Sequence, residues 1–143
     1  MCEPGSSAAH VLAAAIDTLL ALDPAALGDQ ELHETVTALR AELSRLAAAD
    51  AALVREWDTR RIWADDGSKS AASRLSRDCD LAKSTARVSL KRARKLHSMP
   101  ATADALRNAK LSADQADLLA MANQPDLAAL FARDVSMLVD SRD

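Results

Sequence analysis

The chain has 143 residues, with three glycines, four prolines, one phenylalanine and no tyrosine. Alanine-rich segments with so few aromatic residues favour helices and exclude a sheet-rich fold, so we predict an all-α, multi-helix bundle. The two cysteines, Cys2 and Cys79, show no paired spacing, which favours a reducing, cytoplasmic location without disulfides or zinc. Segment 8–22 is apolar but too short to span a bilayer, so we predict a core helix there and no membrane segment.

The net charge of −3 is unevenly distributed along the chain. Residues 1–58 hold three basic and ten acidic side chains, and residues 98–143 hold four basic and seven acidic ones. Residues 69–97, by contrast, hold nine basic and two acidic side chains. A local positive segment matters more for binding a polyanion than the average charge does, so this segment is the first candidate for contact with nucleic acid.

The predicted elements form one helical domain that begins with a helix and a turn in residues 1–28. Ser6 or Ser7 is the predicted N-cap of this helix, which ends before Asp23 because Pro24 restricts the residue in front of it. A long helix then follows over residues 29–62. The strongest structural signal in the sequence is a mostly apolar seam along this helix, in which the residues follow one another at alternating steps of four and three. The seam consists of Leu32, Val36, Leu39, Leu43, Leu46, Asp50, Leu53 and Trp57.

This long helix has two possible interpretations. Its apolar seam is typical of a dimeric coiled coil, and it is equally compatible with a helix packed inside a bundle. In a parallel dimer, the residues that face each other beside the seam should be oppositely charged. Here they are Thr35 with Arg40, Glu42 with Ala47, and Ala49 with Val54, and none of these is an ion pair. Ala47 and Val54 instead widen the apolar stripe, which favours the bundle and leaves a homodimer or a docked nuclease partner as the alternative.

Residues 68–97 are predicted to form a pair of helices resembling a helix-turn-helix. Asp65 and Asp66 precede Gly67, a pattern that is typical of a turn and only rarely of a cation site, so no metal is assigned. Ser68 or Ser70 caps a short helix, a turn follows at 77–80, and a basic helix runs from about Leu81 to His97.

The C-terminal helices are predicted within residues 101–143. Pro100 ends the basic helix, and Ser112 with Gln115 forms a capping box that opens the next one. A last helix from Asp126 has an apolar face that nothing later in the chain covers. We therefore expect the chain to be truncated relative to a longer protein.

The basic helix carries the candidate binding site. At about 100° per residue, Lys83, Arg87, Lys91, Arg94 and Lys95 fall within an arc of roughly 120°, with Ala82, Ala86, Leu90, Ala93 and Leu96 on the opposite side. Such a face can contact successive phosphates, or it can simply be a solvated surface. The full predicted set of nucleic-acid-binding residues is Arg74, Arg77, Lys83, Ser84, Arg87, Lys91, Arg94 and Lys95.

Other residues do not indicate catalysis. Trp57 and Trp63 flank two arginines, so one of them can stack on a guanidinium or a base, although their spacing favours packing. The histidines at positions 10, 33 and 97 have no second ligand at metal spacing, and the glycines are too isolated to form a phosphate loop. We predict neither enzyme activity nor a cofactor for this chain.

Several short motifs, taken in order, resemble a known actinobacterial family. They are Trp63-Ala-Asp-Asp-Gly67, Ser70-Ala-Ala-Ser-Arg-Leu75, Ala86 to Leu96, Met99-Pro100, Ala105-Leu106 and Leu111-Ser112. The sequence from about Leu32 onward resembles the domain of unknown function that precedes HNH endonuclease domains and occurs in mycobacterial REP repeat-element proteins. Asp80 and Ala82 depart from the glycine and the capping serine that relatives tend to have before the basic helix.

This resemblance implies a helical domain that, in full-length relatives, precedes a metal-dependent HNH nuclease. No residue of this chain matches the nuclease motif. We therefore expect a non-catalytic domain of a mobile-element protein that binds or positions DNA with little sequence preference. The alternatives are a helical scaffold for self-association or for a nuclease partner, and an inactive truncated remnant.

Overall fold

The computed structural model describes residues 4–122, with side chains from residue 7 onward. This part of the chain contains six α-helices and no strand, which confirms the all-α class. The helices are α1 (Pro4–Leu20), α2 (Asp29–Thr59), α3 (Ala71–Asp78), α4 (Lys83–His97), α5 (Pro100–Arg107) and α6 (Ala113–Ala122). The predicted last helix from Asp126 lies outside the described residues. Among the helices from residue 4 to 122, none is long and apolar enough to cross a membrane.

The chain divides into two compact units, Met1–Ala38 and Leu39–Asp143. The first contains α1, a 3₁₀ turn at Pro24–Ala26 and the start of α2. Helix α1 begins at Pro4, ahead of the predicted serine cap, because a proline suits the first helical turn, where its missing N–H is not needed. Its apolar side chains are exposed, so the prediction of a core helix here is wrong.

The core of the second unit is made mostly of small residues. Ala51 of α2, Ala93 and Leu96 of α4, Leu106 of α5 and Ala116 of α6 form its buried cluster. Alanine side chains allow helices to approach closely, and Leu106, which is fully buried, supplies much of the apolar volume. The core therefore depends on close contact between short helices.

Helix α2 differs from the prediction in the residue at which it ends and in which of its side chains are buried. It stops at Thr59 because Arg61 adopts a left-handed conformation, with φ of 55°, before a 3₁₀ turn at Ile62–Ala64. Ala47 and Val54, which widen the predicted stripe, do pack against the core. The seam residues Leu39, Leu43, Leu46 and Leu53, however, are 41 to 72% exposed, so the expectation that the bundle buries this seam is wrong.

The predicted caps of α3 and α6 are confirmed, whereas the turn predicted at 77–80 lies later, because α3 continues to Asp78 and α4 begins at Lys83. Ser70 caps α3 by accepting a hydrogen bond from the Ser73 amide at 3.1 Å. Ser112 and Gln115 bond reciprocally at 3.2 and 3.0 Å and open α6. In the turn before α4, Asp80 takes a positive φ of 53°, and Ala82 occupies the N-cap without a side-chain bond, as the two sequence departures imply.

Candidate nucleic-acid interface

Helix α4 has two opposite faces. Its apolar side, formed by Ala86, Leu90, Ala93 and Leu96, is buried against the core of the second unit. Lys83, Arg87, Lys91 and Arg94 are exposed, and Lys95 is half-buried. The helical periodicity therefore placed the cations correctly on the outer side, although Ala82, which was assigned to the inner side, is exposed.

Four of these cations have no carboxylate partner within residues 7–122. Among the described residues, no ion pair involves Lys83, Arg87, Lys91 or Lys95, and their side-chain nitrogens make no hydrogen bond. Ser84 and Thr85 are exposed in the first turn of the same helix. This surface, which we call the α4 basic face, combines uncompensated positive charge with short hydroxyl donors.

Arg94 belongs to the same face but is held by a carboxylate from α2. Its Nε and Nη2 atoms donate to Asp58 at 2.9 and 3.2 Å. The Asp58 side chain is only 13% exposed, whereas that of Arg94 is 54% exposed. The hydrogen bond from Arg94 lowers the pKa of Asp58 from its usual value, and the same bond raises the pKa of Arg94. Arg94 is thus oriented by the fold and partly neutralised.

Arg74 and Arg77 lie on α3 in a local ion-pair network. Arg74 contacts Asp66 at 3.1 Å and Asp78 at 2.5 Å, and Arg77 pairs with the same two carboxylates. The Asp66 side chain also accepts hydrogen bonds from the backbone and hydroxyl of Ser68, which holds its pKa well below the usual range. The positive charges of the predicted site residues Arg74 and Arg77 are therefore compensated by the neighbouring carboxylates of Asp66 and Asp78.

Arg92 shows that a basic helix also contains structural cations. Its Nε and Nη2 donate to the two oxygens of Asp117 on α6 at 2.8 and 2.7 Å. Both side chains are largely buried, with 17% and 29% exposed. Helical spacing had already separated Arg92 from the basic arc, but its partner could not be identified from the sequence.

A groove runs between the start of α3 and the basic face of α4, with a volume of about 400 Å³. The buried or half-buried Ala71, Ala72 and Leu90 form its floor. Cations from α4 border it, together with the capping residue Ser70: Arg87, Lys91, Arg94 and Lys95. Sequence reasoning missed this α3–α4 groove because it depends on how two helices pack.

Trp63, which lies in the 3₁₀ turn after α2, packs partly within the protein. The guanidinium of Arg61 lies 5.0 Å from the centre of the Trp63 ring, which confirms the predicted possibility of a stack. Trp57 and Trp63 are both half-buried, so neither ring offers a fully open platform for a base. Between residues 4 and 122, no group of three or more His, Cys, Asp or Glu side chains is placed to hold a metal ion.

Comparison with protein-family models identifies the family. Residues 33–136 match the model described as "Domain of unknown function (DUF222)", which is well over half of the chain. The chain belongs to the DUF222 family. The match includes the α4 basic face and the α3–α4 groove, so both lie within the DUF222 domain. No curated protein and no solved structure matched the chain.

DUF222 membership confirms the predicted relationship to a domain of unknown function, and the family description itself gives no activity. The association with HNH nucleases and with REP proteins stays a prediction from the motifs. The function of this DUF222 domain therefore has to be argued from its own charged surface.

Proposed function

We propose that this DUF222 chain is a non-catalytic domain that binds the phosphate backbone of DNA through its α4 basic face. The observation that supports the proposal is the set of exposed or half-buried cations on one helix that have no carboxylate partner in the described part of the chain, within a sequence of net charge −3. Solvated surface cations are usually interspersed with acidic residues, whereas no acidic residue lies between Lys83 and His97. A continuous positive face of this kind is complementary to a row of phosphates.

The type of binding follows from the chemistry of the face. Lysine and arginine contacts to phosphates release counterions, so the affinity should fall steeply with salt and depend little on sequence. Ser84 and Thr85 can donate to phosphates at the exposed start of α4. Helix α4 contains no asparagine or glutamine, the side chains that read adenine edges, which favours positioning over full sequence recognition.

We also propose that this domain serves a nuclease that it does not itself contain. The support is the resemblance of its motifs to domains that precede HNH endonucleases, together with the absence from this sequence of residues that match the HNH motif. In that role the domain would hold DNA near the reaction centre, and the cut would be made by a separate domain or chain.

The direct test is a neutralised basic face. The double variant Arg87→Gln/Lys91→Gln removes two unpaired cations, and we expect its affinity for a short duplex to fall by about tenfold or more at low salt. The plot of log affinity against log salt should also become shallower by about two, because each lost phosphate contact reduces the slope by about one. Fluorescence anisotropy over a salt series measures both quantities.

The matched control is Arg40→Gln/Arg107→Gln, which removes the same charge from two exposed positions outside α4 whose side chains have no carboxylate partner among the described residues. We expect it to retain nearly all of the affinity and the salt slope. Equal losses in the two double variants would show that only net charge matters. A wild-type chain that fails to bind duplex at low salt would end the proposal.

A second candidate function, self-association, is favoured by the exposed seam of α2. Leu39, Leu43, Leu46 and Leu53 lie at steps of four, three and seven, with Asp50 at the intervening seam position of a coiled coil. The core of their own unit leaves these leucines uncovered. A second copy of this helix presents the same spacing of leucines and is thus the occupant we propose.

Sedimentation of the full chain over a range of concentrations tests this candidate. We expect a dimer that dissociates on dilution, and a monomer for the variant Leu39→Glu/Leu43→Glu with unchanged helical circular dichroism. The control Glu42→Gln/Arg45→Gln alters an exposed ion pair on the same helix and should leave the dimer intact. A wild-type monomer at all concentrations would exclude self-association, though not docking to a different protein.

A further inference from the structure

The α3–α4 groove combines apolar side chains with a row of cations. Its floor is apolar, formed by Ala71, Ala72 and Leu90, and its rim carries cations from α4. No carboxylate is among the described residues that line it. A volume of about 400 Å³ lies within the range of natural small-ligand sites, which run from about 300 to 1,000 Å³.

We infer that this groove receives the sugar–phosphate backbone of one nucleic-acid strand, an inference that rests on the proposed function and locates its main contact. The apolar floor suits the carbon face of a sugar, and the cationic rim suits the phosphates on either side of it. The nucleic acid is then held between two helices and does not only lie along the outer side of α4.

Arg94 provides a prearranged donor at the rim. Its Nε and Nη2 atoms are occupied by Asp58, whereas its Nη1 atom donates to no acceptor among the described residues. Because Asp58 fixes the guanidinium, less side-chain entropy is lost when a phosphate binds to Nη1. Asp58 therefore acts as a positioning residue for this contact.

Lys91 and Lys83 distinguish the groove from the open face. Both lysines are exposed on α4 and neither has a carboxylate partner among residues 7–122, but only Lys91 lines the groove. If the nucleic acid contacts the whole outer face, neutralising either lysine should lower the affinity for duplex by a similar factor. Contact within the groove predicts a loss for Lys91 alone.

The experiment compares four single variants in duplex-binding titrations at low salt. We expect Lys91→Gln to weaken binding by about tenfold and Lys83→Gln by less than about twofold. Ala72→Glu places a carboxylate in the groove without removing a cation and should weaken binding by at least about tenfold. Ala72→Gln fills a similar volume without charge and should weaken it less than Ala72→Glu does. Circular dichroism confirms that each variant folds.

The possible outcomes separate this inference from the proposed function. Equal losses for Lys83→Gln and Lys91→Gln, with wild-type binding by Ala72→Glu, would overturn the groove while DNA binding by α4 stands. A wild-type chain without any duplex affinity would overturn both. A selective loss for Lys91→Gln and Ala72→Glu supports the groove.

Discussion

Arg92 and Asp117 form a two-point ion pair that joins α4 to α6, with N–O distances of 2.8 and 2.7 Å. Bidentate pairs between arginine and a carboxylate are the strong form of this interaction, especially where water is largely excluded. One basic side chain of α4 is therefore used to hold the bundle together. Its neighbour Lys91 points to solvent and has no such partner among the described residues.

The first prediction separates these two neighbours. We expect Arg92→Gln to lower the free energy of unfolding by about 1–3 kcal/mol, because it leaves the largely buried Asp117 carboxylate without its partner. Lys91→Gln should change stability by less than about 0.5 kcal/mol. Urea unfolding measures both effects, and a double-mutant cycle with Asp117→Asn gives the coupling. Additive effects in that cycle would contradict the assigned ion pair.

The second prediction concerns pH and the Asp58–Arg94 pair. Because the folded state lowers the pKa of Asp58 from 3.8, the pair stabilises the protein above that pH and the contribution is lost as the pH falls through the folded pKa. We expect Asp58→Asn to cost about 0.5–1 kcal/mol at neutral pH, a value reduced for the half-exposed Arg94. The difference from wild type should shrink below about pH 4.

Urea unfolding over a pH series checks this prediction. The control Asp104→Asn removes one negative charge from an exposed side chain. A stability difference for Asp58→Asn that persists unchanged at the lowest accessible pH would show that the pair is not its source.

The third prediction tests which leucines form the core. Leu106 is fully buried, so Leu106→Ala should cost about 2–5 kcal/mol through lost burial and a residual cavity. Leu53 is 72% exposed, and Leu53→Ala should cost less than about 0.5 kcal/mol in dilute solution. Thermal or urea unfolding compares the two variants directly. Similar costs at both positions would place the α2 seam inside the fold.

The fourth prediction uses the uncapped start of α4. Ala82 has extended backbone angles, φ −59° and ψ 146°, and no side-chain bond to the helix. Ala82→Ser should raise the free energy of unfolding by about 0.5–1 kcal/mol by supplying the missing acceptor. The reverse change, Ser70→Ala, removes the cap of α3 and should lower stability by about 1 kcal/mol. If Ala82→Ser leaves the free energy of unfolding unchanged, the first backbone amides of α4 already have other hydrogen-bond acceptors.

Local features of this protein could be predicted because they depend on near neighbours in the chain. The cap at Ser70 and the capping box of Ser112 and Gln115 each involve residues three positions apart. The two faces of α4 also follow from 3.6 residues per turn alone. The same reasoning failed for the α2 seam, because spacing identifies an apolar stripe without showing what covers it.

The sequence alone determined the all-α class, the caps at Ser70 and Ser112 and the clustering of cations on α4, since backbone geometry and residue spacing are sufficient for these. Only the tertiary structure decided which of these cations are held by carboxylates and which are open to a ligand. Arg94 and Asp58 are 36 positions apart, and Arg92 and Asp117 are 25 apart, so their pairing depends on how the helices pack. The α3–α4 groove has the same origin, because Ala71 and Ala72 of α3 meet Leu90 and the cations of α4 only in the folded chain.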